Sequence, residues 1–113
     1  MSLICRAEDI ADRSGRGFTV TLAGAETAIM VVRLGGTLRA YVNCCPHLGM
    51  TLDWQPDLFF DFERRHLLCG MHGALFRVAD GVCIYGPCIG RALTPVAIEV
   101  RDGEVRLAVS EAT

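Results

Sequence analysis

The stretch TAIMVVRLGGTLRAYVN, residues 27–43, contains two runs of apolar and β-branched residues separated by a pair of glycines. Residues 27–34 and 37–43 each have the length and composition of a β-strand. A loop made of Gly35-Gly36 matches the two-residue turns that join antiparallel strands. The stretch therefore predicts a β-hairpin.

The rest of the chain repeats this pattern of short apolar runs separated by glycine. Further strands are predicted at 18–22, 66–69, 74–78, 82–85, 95–101 and 105–110. Turns at Asp80-Gly81 and Asp102-Gly103 connect the last two pairs of these runs. Residues 7–13 are predicted to form one short helical turn. Many short strands with frequent turns indicate an all-β fold of the sandwich or barrel type.

Size and composition restrict the class of protein. A chain of 113 residues suits one domain, and a hydrophobic content of 51% argues against disorder. The net charge of −2 disfavours a broad nucleic-acid-binding face. The longest uninterrupted apolar run, 28–32, is far shorter than the ~20 residues of a membrane-spanning helix. We also expect no signal peptide, because the N-terminus lacks a basic start followed by an apolar stretch.

Cysteine content predicts a compartment. The six cysteines are about 5% of the chain, whereas small domains held by disulfides usually exceed about 8–10%. A reducing, cytoplasmic location fits this content better, and paired cysteines in that setting more often bind metal.

Two short motifs carry residues that bind metals. Cys45-Pro46-His47 has the form C-x-H, and Cys69-Gly70-Met71-His72 has the form C-x-x-H. Each motif, or arm, follows a predicted strand, and a glycine follows soon after each histidine. Zinc accepts two cysteines and two histidines, but zinc fingers usually place both cysteines before both histidines. Arms that each mix one cysteine with one histidine suit a two-iron cluster better.

With the Gly86-Pro87 turn and Leu93-Thr94-Pro95, the two arms resemble the Rieske [2Fe-2S] family. The resemblance implies a [2Fe-2S] cluster held by four residues: Cys45 and Cys69 on the inner iron, His47 and His72 on the outer iron. It also implies that the proline-containing segment lies over the cluster.

The resemblance further implies a domain organisation. Residues 1–113 would form a single Rieske domain with a Rieske-like β-sandwich base. The base would consist of 1–43 and 92–113, and a small cluster-binding subdomain, about 44–91, would be inserted in it.

Four residues depart from the high-potential members of the family. Met50 and Met71 stand where those members carry two additional cysteines that form a disulfide. Ala74 and Phe76 stand where those members carry a serine and a tyrosine whose hydroxyls bond to sulfur. The chain therefore resembles the ferredoxin-type branch, which passes electrons to oxygenases.

The remaining cysteines and His66 leave alternatives open. Cys44 with His47 would also form a C-x-x-H motif, although the family pattern favours Cys45; we expect Cys44 to end the strand with its side chain inward. Cys83 and Cys88 flank the proline turn and could approach each other or the cluster. Cys5 and His66 are predicted to have ordinary packing roles.

The two arms are separated by 21 residues, which include an aromatic and acidic loop at 52–62. Its aromatic residues are expected to form a satellite core more readily than a binding patch. Its carboxylates are Asp53, Asp57, Asp61 and the adjacent Glu63. They could either steer a basic partner or only keep the loop soluble.

Three functions follow from these patterns. The first is a soluble one-electron carrier that accepts an electron from a reductase and delivers it to an oxygenase or similar enzyme. The second is an accessory electron-transfer subunit fixed in a larger oxidoreductase, and the third is a zinc-stabilised binding module. The sequence shows no nucleophile–base motif and no phosphate-binding glycine loop, so it predicts no catalytic site of its own. The expected partners are redox proteins, with no nucleic acid and no membrane.

Overall fold

The computed structural model describes residues 3–44, 52–53, 59–61, 63–69 and 73–108. The described residues form an all-β fold, as the sequence predicts. The strands are β1 (Leu3–Arg6), β2 (Ser14–Leu22), β3 (Ala25–Leu34), β4 (Thr37–Val42), β5 (His66–Leu68), β6 (Leu75–Arg77), β7 (Cys83–Tyr85), β8 (Ile98–Arg101) and β9 (Glu104–Leu107). A short 3₁₀ turn, Ala7–Asp9, follows β1. No helix in these ranges is long and apolar enough to cross a membrane.

The strands form three antiparallel sheets of three strands each. Their orders are β1-β9-β8, β2-β3-β4 and β5-β6-β7. Hairpins join neighbouring strands within the second and third sheets. In the first sheet, the two ends of the chain meet, because β1 pairs with β9.

Strand β3 is buried on both of its faces. Ile29 and Val31 pack in one apolar cluster with Val105 of β9. Met30 and Val32 point to the opposite face and pack in a second cluster, which also contains Cys69 and Phe76. The β2-β3-β4 sheet is therefore packed between the other two sheets. A strand covered on both faces has no polar side to present, which explains the continuous apolar run at 28–32.

The second apolar cluster joins the central sheet to the β5-β6-β7 sheet. We call it the metal-side core; its members are Met30, Val32, Tyr41, Leu52, Phe59, Leu67, Cys69, Ala74, Phe76, Val78, Cys83, Cys88 and Leu93. The hydroxyl of Tyr41 donates a hydrogen bond to the carbonyl oxygen of Val78 across this boundary. Strands β5–β7 fall within 44–91, the range predicted for the cluster-binding subdomain. The division of the chain into a base and this subdomain stays a prediction.

Strand β2 begins four residues earlier than the sequence predicts. In the sequence, Gly15 and Gly17 resemble the end of a preceding turn, but both lie inside the strand and pair with β3. A β-carbon at Gly15 would lie 2.7 Å from Cγ1 of Val32 and 3.2 Å from Cδ2 of Phe59. Glycine is thus required here by close packing of the sheet against the aromatic loop, and not by a turn.

Strand boundaries near the C-terminus differ for another reason. Residues 95–97 are predicted to begin a strand of the terminal hairpin, which instead starts at Ile98. Pro95 forms a bridge with Tyr41, and the Val96 N–H donates to the carbonyl of Ala40 at 2.9 Å. The segment therefore runs beside β4 before it joins β9. Strand β1 is not predicted by the sequence, because its apolar run is only three residues long.

Candidate metal centre

The second arm lies in the turn between β5 and β6. Cys69 follows β5 directly, and its side chain is fully buried. Its N–H donates to the carbonyl of Ala74, and its carbonyl accepts from the N–H of Gly73, both at 2.9 Å. Gly73 has a φ of +69°, a conformation that glycine adopts without strain. The hairpin therefore fixes the position of the Cys69 backbone, while His72 lies outside the described residues.

The first arm leaves the end of β4. Residues 45–51 lie outside the described residues, so the structure does not place Cys45, His47 or Met50; the same holds for Met71 of the second arm. Before this gap, the N–H of Asn43 donates to the carbonyl of Ala28 at 2.9 Å. After it, Leu52 is fully buried in the metal-side core. Both ends of the first arm are thus anchored in the protein interior.

The expectation for Cys44 is wrong in part. Strand β4 ends at Val42, and Cys44 is only half-buried. The N–H of Cys44 donates to the carbonyl of Val42 at 2.9 Å, so the chain bends sharply before the first arm begins. The strand therefore ends one residue before the predicted end at Asn43 and two residues before Cys44.

The proline turn packs against the second arm. Gly86 has a φ of +98°, and a β-carbon there would lie 2.9 Å from the α-carbon of Ala74. The N–H of Ile89 donates to the carbonyl of Gly86, which closes the turn. Cys88, on the same turn, is fully buried in the metal-side core together with Cys69. The turn therefore covers the base of the C-x-x-H arm.

No disulfide links Cys83 to Cys88, although both lie in the metal-side core. The thiol of Cys83 instead donates to the carbonyl oxygen of Tyr85, with a sulfur–oxygen distance of 3.3 Å. Cys5 is half-buried and packs beside the other core cluster. Burial raises the pKa of the Cys5 thiol, and the nearby Asp9 carboxylate adds to this effect. Its contacts with this apolar cluster agree with the expected packing role of Cys5.

The residues around Cys69 fit an iron–sulfur cluster. A thiolate buried among apolar side chains is unfavourable unless a positive charge compensates it, and a bound metal provides that charge. Cys69 also shares the metal-side core with Ala74 and Phe76, and all three residues are fully buried. Within the described ranges, no three His, Cys, Asp or Glu side chains are grouped closely enough to hold a metal ion.

Two of the four loop carboxylates have structural roles. Asp61 Oδ1 accepts hydrogen bonds from the N–H groups of Arg65 and His66, and its Oδ2 lies 3.8 Å from Nδ1 of His66. Asp53 Oδ1 accepts a hydrogen bond from the side-chain amide of Asn43 at 3.1 Å. These contacts weaken the hypothesis that all four carboxylates steer a partner. Asp57 lies outside the described residues, whereas Glu63 is exposed.

The aromatic loop contributes to the core, as the sequence predicts. Phe59 is buried in the metal-side core, and Phe60 packs against this core and forms a bridge with Leu67. Trp54 and Phe62 lie outside the described residues. His66 is half-buried at the start of β5, which agrees with its expected packing role.

Comparison with known proteins identifies the family. The model of the Rieske [2Fe-2S] domain matches residues 1–106. The chain belongs to the Rieske [2Fe-2S] domain family. Its members carry a [2Fe-2S] cluster, so the iron–sulfur interpretation of the two arms is favoured over zinc. No curated protein matches the chain.

Solved structures of ferredoxins share its fold. A chain in the complex of reduced oxygenase and oxidized ferredoxin in carbazole 1,9a-dioxygenase is 28% identical, with a TM-score of 0.73 over 94% of this chain and 90% of that chain. The ferredoxin of carbazole 1,9a-dioxygenase from Nocardioides aromaticivorans IC177 is 22% identical, with a TM-score of 0.72 over 96% of both chains. The Sphingomonas yanoikuyae B1 ferredoxin is 21% identical, with a TM-score of 0.70 over 96% of this chain and 97% of that one.

Proposed function

We propose that this Rieske protein is a one-electron carrier that accepts an electron from a reductase and delivers it to an oxygenase. The observation that carries the proposal is the buried Cys69, which shares the metal-side core with Cys88 of the proline turn in a Rieske domain. When bound, the cluster supplies a centre that gains and loses a single electron.

We further propose the four ligands named by the sequence: Cys45 and Cys69 on the inner iron, and His47 and His72 on the outer iron. The β5–β6 turn presents Cys69, and β4 leads into the first arm. The protein's own task is to hold these side chains, to exclude water from the sulfur and to offer a docking surface.

Exposed apolar residues mark the proposed docking surface. Tyr85 is 64% exposed and Ile89 is 65% exposed, and Ile84 beside them is 38% exposed. They flank the proline turn, whose Gly86 lies against Ala74, just after the second arm. Large exposed apolar residues grouped in this way are typical of protein contact sites. The proposed occupant is an oxygenase, because a 28% identical chain belongs to an oxygenase–ferredoxin complex.

A fixed accessory subunit remains the alternative, and it would need a large apolar face for a permanent partner. Among the described residues of the 52–62 loop, Leu52 and Phe59 are buried in the metal-side core, and Phe60 packs against it. A cytoplasmic location remains part of the proposal, supported by the cysteine content of the sequence.

Metal analysis and electron transfer test this function together. Protein purified without oxygen should contain iron and inorganic sulfide in equal amounts, and after chemical reduction it should reduce an oxygenase under single-turnover conditions. Zinc without iron would overturn the cofactor assignment. Iron with no electron transfer to any oxygenase tested would overturn the carrier role.

Two serine variants test the choice of cysteine in the first arm. Cys45→Ser should abolish the visible absorption of the cluster, whereas Cys44→Ser should leave it nearly intact. The reverse result would assign the ligand to Cys44.

A further inference from the structure

Asn43 is a buried polar residue at the point where the first arm begins. Among the described residues, it is the polar side chain that falls in the buried class, with 8% of its surface exposed. A buried amide is tolerated when its oxygen and nitrogen both have hydrogen-bond partners. From the sequence, Asn43 is only the last residue of a predicted strand, and no pattern indicates more.

The side chain of Asn43 joins the two ends of the first arm. Its Oδ1 accepts a hydrogen bond from the N–H of Leu52 at 2.8 Å. Its Nδ2 donates to Oδ1 of Asp53 at 3.1 Å. Residues 44–51, which include Cys45 and His47, lie between these partners in the chain. One amide therefore closes the loop that carries half of the proposed ligand set.

The closed loop is also fixed to the rest of the protein. The backbone N–H of Asn43 donates to Ala28 of β3, the strand buried on both faces. Leu52 packs in the metal-side core with Cys69. The residue at which the chain leaves the segment of the first arm and the first residue of the second arm therefore share one apolar cluster. Asn43 thus couples the first arm to the element that presents the other proposed cysteine ligand.

We propose that Asn43 is a positioning residue for the metal centre, which ties together the two ends of the segment that carries Cys45 and His47. This inference rests on the proposed function, because it takes those two residues as ligands. A loop closed before the metal binds loses less conformational freedom on binding, and the bound metal is then held longer.

Four variants test this role. Asn43→Ala removes both hydrogen bonds. Asn43→Asp keeps an acceptor for Leu52 but places a second carboxylate against Asp53. Combining Asn43→Asp with Asp53→Asn restores a donor–acceptor pair with its direction reversed. Tyr41→Phe is the matched control, because it removes a different buried hydrogen bond from the same segment.

The rate of cluster loss to an iron chelator, followed by visible absorbance, is the main measurement. Asn43→Ala and Asn43→Asp should lose the cluster about five- to tenfold faster than wild type, as expected for the loss of a buried hydrogen bond. The reversed pair should recover most of the difference, and Tyr41→Phe should lose the cluster at close to the wild-type rate. In the metal-free protein, hydrogen exchange of the Leu52 amide should accelerate in Asn43→Ala and not in Tyr41→Phe.

Three results would overturn the inference while leaving the carrier function intact. These are a wild-type loss rate in Asn43→Ala, an equal acceleration in Tyr41→Phe, or equal loss rates in Asn43→Asp and the reversed pair. If Asn43→Ala fails to fold, the comparison of Asn43→Asp with the reversed pair still decides. A wild-type protein without iron and sulfide would instead overturn the proposed function itself.

Discussion

Gly86 and Ala74 pack so closely that a β-carbon on Gly86 would lie 2.9 Å from the α-carbon of Ala74. The contact joins the proline turn to the residue that follows the second arm. Because it involves the backbone of Ala74, a side chain at position 86 would have to push the turn and the arm apart.

Gly86→Ala should therefore lower the unfolding free energy of the protein and increase the rate at which the cluster is lost. Gly90→Ala is a matched control: Gly90 has a similar φ of +96°, but a β-carbon there would meet no atom of the described residues within 4 Å. Both variants bear the strain of a positive φ, and Gly86→Ala should cost about 1–3 kcal/mol more in unfolding free energy. Chemical denaturation and the rate of cluster loss measure this difference. Equal effects in the two variants would contradict the proposed packing role.

Ala74 and Phe76 bear on the reduction potential. Replacing two thiolates with two imidazoles raises the potential of Rieske centres to roughly −150 to +300 mV. Hydrogen bonds to sulfur raise it further, because they stabilise the more negative, reduced form. Ala74 and Phe76 are both buried and carry no hydroxyl, so we expect a potential in the lower half of this range.

Ala74→Ser and Phe76→Tyr should each raise the potential measured by protein-film voltammetry. Phe60→Tyr is the control for the addition of a phenol, because Phe60 lies at the edge of the same core on the aromatic loop. An unchanged or lower potential in Ala74→Ser and Phe76→Tyr would show that the added hydroxyls do not reach sulfur. A wild-type potential clearly in the upper half would contradict the expected effect of the missing hydroxyls directly.

The parts of the fold that the sequence predicts correctly are those governed by local patterns. The hairpin at Gly35-Gly36 and the turn at Asp102-Gly103 follow from residues that are adjacent in the chain. The start of β2 is predicted four residues too late, because the need for Gly15 comes from Val32 and Phe59, which are distant along the chain. Local composition cannot separate a glycine needed for a turn from one needed for close packing.

The same distinction applies to the candidate site. Cys69 is predicted as a ligand from a four-residue motif, and the structure places it, fully buried, directly after β5. The roles of Asn43 and Asp61 depend on hydrogen bonds to backbone groups brought near by folding. An asparagine before an arm and an aspartate in an acidic loop give no signal of such bonds.

Asp61 should contribute to stability and not to steering. Its carboxylate accepts two backbone N–H groups, and its side chain is only 14% exposed. Asp61→Ala should lower the unfolding free energy by about 1–3 kcal/mol, because the N–H groups of Arg65 and His66 lose their acceptor. Asp61→Asn, which keeps an oxygen, should have a smaller effect, and Glu63→Ala at an exposed neighbouring position should have almost none. Denaturation curves compare the three variants, and equal midpoints in Asp61→Ala and Glu63→Ala would contradict the assignment.

Tyr41 should make the protein sensitive to high pH. Burial raises the pKa of its phenol, Asp80 adds to this effect, and Arg39 opposes it. Because the folded state favours the neutral phenol, the contribution of Tyr41 to stability is complete below about pH 10, the value of an unperturbed tyrosine. It is lost as the pH rises further, through the raised pKa of the folded state. Wild type should therefore lose stability above about pH 10 faster than Tyr41→Phe does.

Denaturation of both proteins between neutral and alkaline pH measures this difference. At neutral pH, Tyr41→Phe should already be less stable by about 1 kcal/mol, since it lacks the hydrogen bond to Val78. The gap between the two proteins should narrow as the pH rises. A constant difference in stability between the two proteins would mean that burial does not raise the pKa of the Tyr41 phenol.

The proline turn should be the surface through which the protein docks on an oxygenase. Tyr85 and Ile89 are exposed on either side of the proline turn, whereas Val100, at 51% exposed, lies on β8 in a different sheet. If an oxygenase covers the turn, truncating a buried anchor should weaken the complex by more than about 1 kcal/mol. Tyr85→Ser and Ile89→Ser should then lower the second-order rate of electron transfer about fivefold or more. Val100→Ser should leave this rate unchanged.

Salt dependence separates this apolar contact from electrostatic steering. Apolar anchors act mainly on the lifetime of the complex, whereas charges at the rim act on the association rate and are screened by salt. The effect of Tyr85→Ser should therefore persist at high ionic strength, and the reduction potential should stay at the wild-type value. Equal rates for Tyr85→Ser, Ile89→Ser and Val100→Ser would exclude the proline turn as the docking surface, and the proposed histidine ligands would then be the remaining candidates for the contact.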